Sequence, residues 1–306
     1  MLALTAYLSM ARPARPHSLR AVPRAAARTP RPSLALFGNG NLRVERPTVE
    51  DMNVIQSRQL GHNVSSVAGC GARCKHGFPQ AFAYDPMERA PLILNGKVSG
   101  RQSRIESGLF RLSCPLLVKA IDEWEREGAV VAINGELRAS AEAATDDPSK
   151  PTLAQMLQAA HEEHAAARAE LIGDRLPRLL ADAAADGAEQ ERIVSMVLTS
   201  GIAGQTRTKL DIKCVHAQLA DHLCRSESNG VAEMLLRRLE ARGTAVRGDD
   251  VCRAQCDLGI PESEARGRWW YEPVKNKWKL RKQKHRRKEL MAEAKAEKQK
   301  ATATEQ

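Results

Sequence analysis

Leu109-Phe110-Arg111-Leu112-Ser113-Cys114-Pro115-Leu116-Leu117-Val118 is the stretch in which the chain passes from one kind of structure to another. Leu109 to Leu112 is an apolar run of strand length. Pro115, whose fixed φ and missing N–H suit a first helical turn, then opens a helix through Trp124 to Glu127 that stops at Gly128. Upstream, Val64 to Ala68, Ala81 to Tyr84 and Leu92 to Leu94 are further short apolar runs separated by Gly, Pro and Asn. Together these runs predict a small antiparallel sheet. Before them, Thr48-Val49-Glu50-Asp51 approximates a capping box for a helix carrying Met52, Ile55 and Leu60 and closed by Gly61.

Downstream, Val130 to Leu137, with Asn134-Gly135 at its middle, reads as a small hairpin. Ala139 to Pro151 is polar and loop-like. Thr152 to Leu239 is rich in Ala, Leu, Glu and Arg and reads as several helices, interrupted near Pro177, Gly187, Gly201–Gly204 and Asn229–Gly230. The fold class is therefore α+β: a small antiparallel sheet in the N-terminal half packed with a helical C-terminal half, flanked by disordered ends.

Charge divides the chain in the same way. Of a net +10, residues 1–44 contribute +7 and residues 266–306 contribute +9, which leaves −6 for the body. The pI of 9.4 therefore does not make the core a nucleic-acid binder. We take 1–44 as an organelle transit segment, 45–265 as the core and 266–306 as a basic, Trp-containing tail. The leader begins with an apolar run, Leu2 to Met10, and continues with Arg among Pro, Ala and Ser and no acid, which is a transit-peptide composition. Its prolines at 13, 16, 23, 30 and 32 disfavour a long amphipathic helix and point to a plastid, with the mitochondrion as the alternative address. No run approaches the ~18–20 apolar residues of a membrane span.

The seven cysteines are an odd number spread along the chain, which suits reduced thiols and not a secreted disulfide framework. Cys74 lies in Arg73-Cys74-Lys75-His76-Gly77, Cys114 precedes Pro115, and Cys214 and His216 share Lys213-Cys214-Val215-His216-Ala217. Zinc takes four such ligands and iron–sulfur clusters use cysteine thiolates, so Cys74, Cys114 and Cys214 are candidate metal ligands, with His216, His222, Cys252 or Cys256 as the fourth. The spacing signal is weak, because no Cys-x-x-Cys pair is present, only Cys70/Cys74 and Cys252/Cys256 four apart.

Other patterns have bland readings beside the active ones. Cys214 as a nucleophile lacks a local base, since in a regular helix Cys214 and His216 point about 160° apart. His161, His164 and Arg168 share one helical face, which suits a polar helix surface or a site wall. Gly201-Ile202-Ala203-Gly204 fits an anion-binding helix start or a plain turn. In the tail, Lys275, Lys277, Lys279, Arg281, Lys282, Lys284, Arg286, Arg287 and Lys288 are nine cations with no acid among them, and Trp278 lies inside the run. That suits RNA or a ribosome, by counterion release and stacking, or a solvated tail.

In order, these pieces resemble an uncharacterised, mainly bacterial family, domain of unknown function 501. Arg73-Cys74-Lys75-His76-Gly77-Phe78-Pro79 resembles its Arg-Cys-x-x-Gly-x-Pro segment, and Leu112-Ser113-Cys114-Pro115 its Leu-Thr-Cys-Pro. Asp122 to Gly128 resembles Arg-Leu-Glu-x-x-Gly, and Ala160-His161-Glu162-Glu163-His164 resembles Ala-His-x-x-Tyr. Gly201-Ile202-Ala203-Gly204 matches Gly-Ile-Gly-Gly, Lys213 to Ala217 matches Lys-Cys-Leu-His-Ala, and Asn229-Gly230 resembles Asn-Pro-x-Gly. The resemblance covers 50–235 and singles out Cys74, Cys114, Cys214 and His216, which implies a Cys/His centre for zinc or an iron–sulfur cluster. It brings no activity, and it does not reach Cys252, Cys256, the leader or the tail.

Overall fold

A computed structural model describes residues 40–87, 93–94, 97–98, 105, 107–142, 150–226 and 229–272. The basic run 275–288 and residues 1–39 of the leader lie outside these. Helix α1 (Val49–Asn53) has the expected Thr48/Asp51 capping box, continues as a π-helical segment, Val54–Leu60, and ends at Gly61 with φ 64°. Strands β1 (Val67–Cys70), β2 (Ala81–Tyr84) and β5 (Phe110–Leu112) form an antiparallel sheet in the order β1-β2-β5, with Cys70 opposite Phe82 and Phe82 opposite Arg111. The two-residue strands β3 (Ile93–Leu94) and β4 (Lys97–Val98) pair in a hairpin of their own.

Helices follow. They are α2 (Pro115–Arg126), α3 (Ala129–Glu142), α4 (Leu153–Ile172), α5 (Leu176–Ala185), α6 (Ala188–Leu198), α7 (Val215–Cys224), α8 (Gly230–Ala241), α9 (Asp250–Cys256) and α10 (Glu262–Arg268). Helix α7 packs on β2 and β5, α2 and α8 pack against it, and α4 packs on α8 and α3. One apolar cluster runs through both halves, with Ala83, Leu112, Ile121, Leu137, Leu157, Leu219 and Leu235 buried together. The α+β reading therefore holds, and the two halves share a core.

The hairpin expected at 130–137 is instead part of α3. Ala129, Ile133 and Leu137 recur at four-residue spacing and are buried, whereas Val131, which a period-two strand would place on the same face, is 75 % exposed, as only a helix allows. Asn134 serves as a clamp and not as a turn residue. Its Nδ2 donates to Ile212 O at 3.1 Å, and its Oδ1 accepts from Ile212 N at 2.7 Å.

Both expected core boundaries shift outward. Leu42 and Val44 are buried, and Arg43 N donates to Cys224 O at 2.8 Å, so the body begins before residue 45. At the other end Tyr271 exchanges backbone hydrogen bonds with the Gln255 side chain, both at 2.9 Å, and its hydroxyl donates to Asp122. The guanidinium groups of Arg58 and Arg266 lie over the Trp270 ring, 5.9 and 4.2 Å from its centroid. Residues 266–272 belong to the body.

Candidate functional site

Helix α7 starts one residue after Cys214, which sits at the cap with an extended backbone, φ −162° and ψ 153°. The 100°-per-residue argument that separates Cys214 from His216 applies only inside the helix, so it fails here. The Cys214 thiol, a His216 ring nitrogen and a Glu125 carboxylate oxygen all lie within 4.8 Å of one another. Glu125 comes from the last turn of α2. Its Oε1 accepts from Val215 N at 2.6 Å, capping α7 in place of the thiol, and faces His216 Nδ1 at 3.3 Å. On the other side of the ring, His216 Nε2 is 3.4 Å from Asp122 Oδ1, whose partner oxygen accepts from Tyr271.

Burial acts to raise the Glu125 carboxyl, but the hydrogen bond and charge of His216 outweigh it and the pKa is lowered. Burial raises the Cys214 thiol, with the α7 amides of Ala217 and His216 pulling the other way. A thiol held protonated is a poor nucleophile, and it ligates a metal only once its proton is displaced. Glu125 was within the quoted Asp122–Gly128 segment, but nothing in its local sequence distinguishes it from other helix-surface carboxylates.

The expected set of four does not converge. Cys114 stands immediately before α2 and Glu125 near its far end, about 16 Å along the axis at 1.5 Å per residue. Cys214 and His216 thus lie at the opposite end of α2 from Cys114. Cys74 stays near Cys114, close enough to act electrostatically on its thiol. Of the other candidates, His222 is on α7, where burial lowers its pKa. Cys224 is completely buried and near Cys70 beneath the sheet.

The face of His161, His164 and Arg168 points inward, not to solvent. All three are buried, as are Gln218, Asp221, Arg225 and Asn229 opposite them. Asp221 accepts from His164 Nδ1 at 2.8 Å, from Arg225 Nε at 2.8 Å and from Asn229 Nδ2 at 2.9 Å, and Arg225 also pairs with Glu163. Burial acts to raise the Asp221 carboxyl, but these donors outweigh it and lower its pKa, while burial lowers that of His164. Arg168 donates to three carbonyls, those of Leu198, Ser200 and Ser107, and burial brings it down to about 10.

The 201–204 segment is a turn in which three of the four amides are already used. Ile202 N donates to His161 Nδ1 at 3.1 Å, Gly201 N to Gln205 O and Gly204 N to Gly201 O, which leaves no amide nest for an anion. Glycine is required at 201, where a Cβ would lie 2.5 Å from His161 Nδ1. Ala203, at the position where the family pattern has Gly, adopts φ 56° and ψ 27°. Lys213 Nζ donates to the Ala203 carbonyl at 2.8 Å, tying this turn to the start of α7.

A cleft of about 400 Å³ lies between the π-helical segment and α10, lined by Arg58, His62, Glu262, Arg266 and Trp270. None of the thiols opens into it. Among the described residues no helix is long and apolar enough to cross a membrane.

Fold and site together define an α+β protein with a sealed polar network on one side of α7 and a half-exposed Glu/Cys/His group at its start. The chain belongs to the family described as protein of unknown function DUF501, which matches residues 70–237. That span contains Cys74, Cys114, Glu125, Cys214 and His216 and stops short of Cys252. No curated protein and no solved structure matches the chain.

Proposed function

We propose that this protein binds a thiophilic divalent cation, zinc in the first instance, through Glu125, Cys214 and His216. The supporting observation is the convergence of a carboxylate oxygen, a thiol and an imidazole nitrogen within 4.8 Å. Three protein ligands leave a fourth position open, as in sites that present a metal to water or substrate. His216 would ligate through Nδ1, with Asp122 at Nε2 orienting the ring, the usual role of a carboxylate behind a metal-bound histidine. Metal would displace the Cys214 proton that burial now holds. Metal analysis of the purified full chain, unsubstituted and as C214S/H216A, tests this. The substituted chain should hold less zinc by one site, and equal metal content in the two would end the reading.

A second reading concerns the ends. Nine cations lie between Lys275 and Lys288 in the sequence, and Tyr271, a few residues before them, is fixed to the body. We take this basic run to bind RNA or a ribosome, and the leader to direct the protein to a plastid. A leader–reporter fusion seen only in mitochondria or only in cytosol would reject that address.

A further inference from the structure

We propose a second, independent metal site, formed by the four buried thiols of Cys74, Cys114, Cys252 and Cys256, which would take a closed thiolate-bound centre: a zinc ion or an iron–sulfur cluster. The four come from three distant segments. Cys74 lies in a turn closed by Gly77 N donating to Cys74 O at 2.9 Å, Cys114 immediately precedes α2, and Cys252 and Cys256 lie one turn apart on α9.

The loop before α9 is attached to the Cys74 turn by three hydrogen bonds. Lys75 N donates to Arg247 O at 2.7 Å, Gln80 Nε2 donates to Val246 O at 2.7 Å, and His76 Nε2 meets Asp249 O at 2.7 Å. Gly248, with φ +96°, is wedged between two of the cysteines. A Cβ there would lie 3.3 Å from Cys252 Sγ and 3.4 Å from Cys74 Cβ. Cys74 and Cys256 share an apolar cluster with Val54 and Phe78. Cys74 is close enough to act electrostatically on Cys114, Cys252 and Cys256, Cys114 on Cys252 and Cys256, and Cys252 on Cys256.

Thiolates also need donors, and three of the sulfurs already face them. Cys114 receives the α2 amides of Leu116 and Leu117 and the Gln80 side chain. Cys252 receives Asp249 N at 3.4 Å, and Cys256 receives Gln59 Nε2 at 3.7 Å. The start of the twelve-residue helix α2 adds its partial positive charge at Cys114. Four buried neutral thiols gain little from such donors, whereas a metal–thiolate centre depends on them. Binding would release the thiol protons to solvent and put metal–sulfur bonds in their place. No three of these sulfurs lie within 4.8 Å of one another. A single zinc ion, with its Zn–S bonds of about 2.3 Å, would have to draw them closer, whereas an iron–sulfur core would hold them farther apart.

The test uses the full chain purified without oxygen, assayed for zinc, iron and acid-labile sulfide, and reloaded with cobalt(II) if zinc is found. We expect C252S/C256S to lose the metal of this site and C214S/H216A to keep it. Most of the thiolate-to-cobalt absorption should vanish in C252S/C256S, because four of the five proposed thiolate ligands are here. Iron with sulfide identifies a cluster, and zinc alone identifies a mononuclear site. If C252S/C256S does not fold, the unsubstituted chain decides. A chelator should greatly accelerate alkylation of Cys74, Cys114, Cys252 and Cys256, located by mass spectrometry. Alkylation at an unchanged rate with chelator, or metal content equal in the C252S/C256S and unsubstituted chains, overturns the proposal.

Discussion

Helix α7 has a carboxylate–imidazole pairing at each end, and the two behave as different chemistry. At its start, His216 lies between Glu125 and Asp122, with side chains 25 %, 23 % and 32 % exposed. Toward its end, Asp221 pairs with His164 at 0 % and 3 % exposure, with Arg225 and Asn229 filling the remaining positions. The residue types are the same, but water reaches only one pairing. In the sealed one the Asp221 carboxylate offsets the buried Arg225 charge, because an orphaned buried charge is costly. In the open one ligand atoms can exchange a proton or water for a cation. Exposure, more than composition, separates scaffold from candidate site.

The largest expected effect would come from breaking the sealed side. Asp221→Ala strands Arg225 and His164 and should cost about 3–5 kcal/mol, read from urea unfolding. The folded fraction should keep its metal. Glu125→Gln inverts this result: it keeps an acceptor for Val215 N–H, so stability should move by about 1 kcal/mol or less while metal affinity drops. If Asp221→Ala proves mild and Glu125→Gln severe for folding, the contrast between the two ends is wrong.

Acid should act on the sealed side first. His161 is pushed down to about 4, mainly by burial, from an ordinary value of 6.5. Between those values the unfolded chain binds the proton and the folded chain does not, so stability falls as pH drops through that window. Asp221, with its lowered pKa, adds a loss at lower pH, when its carboxylate is protonated. Thermal unfolding from pH 7.5 to 4.5 should show the first decline, and a flat profile would contradict the burial of His161.

A smaller effect, of opposite sign, is expected at the turn against His161. Ala203 is in the left-handed region, which costs a non-glycine residue about 1–2 kcal/mol, part of which glycine's greater freedom in the unfolded chain cancels. Ala203→Gly should stabilise by roughly 0.5–1 kcal/mol, measurable as a rise in the denaturation midpoint. Ending the chain after Glu272 should change stability least of all, because Trp270 and Tyr271 remain in place. The same truncation should abolish salt-sensitive RNA binding, and equal binding at low salt would reduce the tail to a solvated extension.

Much of the architecture was legible in the sequence because its signals are local. Strands, the capping box at Thr48, Pro115 at a helix start and Gly61 at a helix end each depend on a few neighbouring residues. So does the motif order that marks the family, and so does the division of charge along the chain. Misreadings arose where a local signal competed with packing. Asn134-Gly135 has hairpin chemistry, yet the stripe of Ala129, Ile133 and Leu137 finds a core and holds the segment helical. The polar face at His161, His164 and Arg168 looked like surface because the carboxylate facing His164, that of Asp221, lies on another helix.

What the sequence alone determined was the set of reactive side chains and the elements that carry them. Only the tertiary structure decided their grouping: Cys214 and His216 with Glu125, and Cys74 and Cys114 with Cys252 and Cys256. The reason is distance. Helix α2 separates its two ends by about 16 Å, so residues equally prominent in the sequence are placed in different clusters.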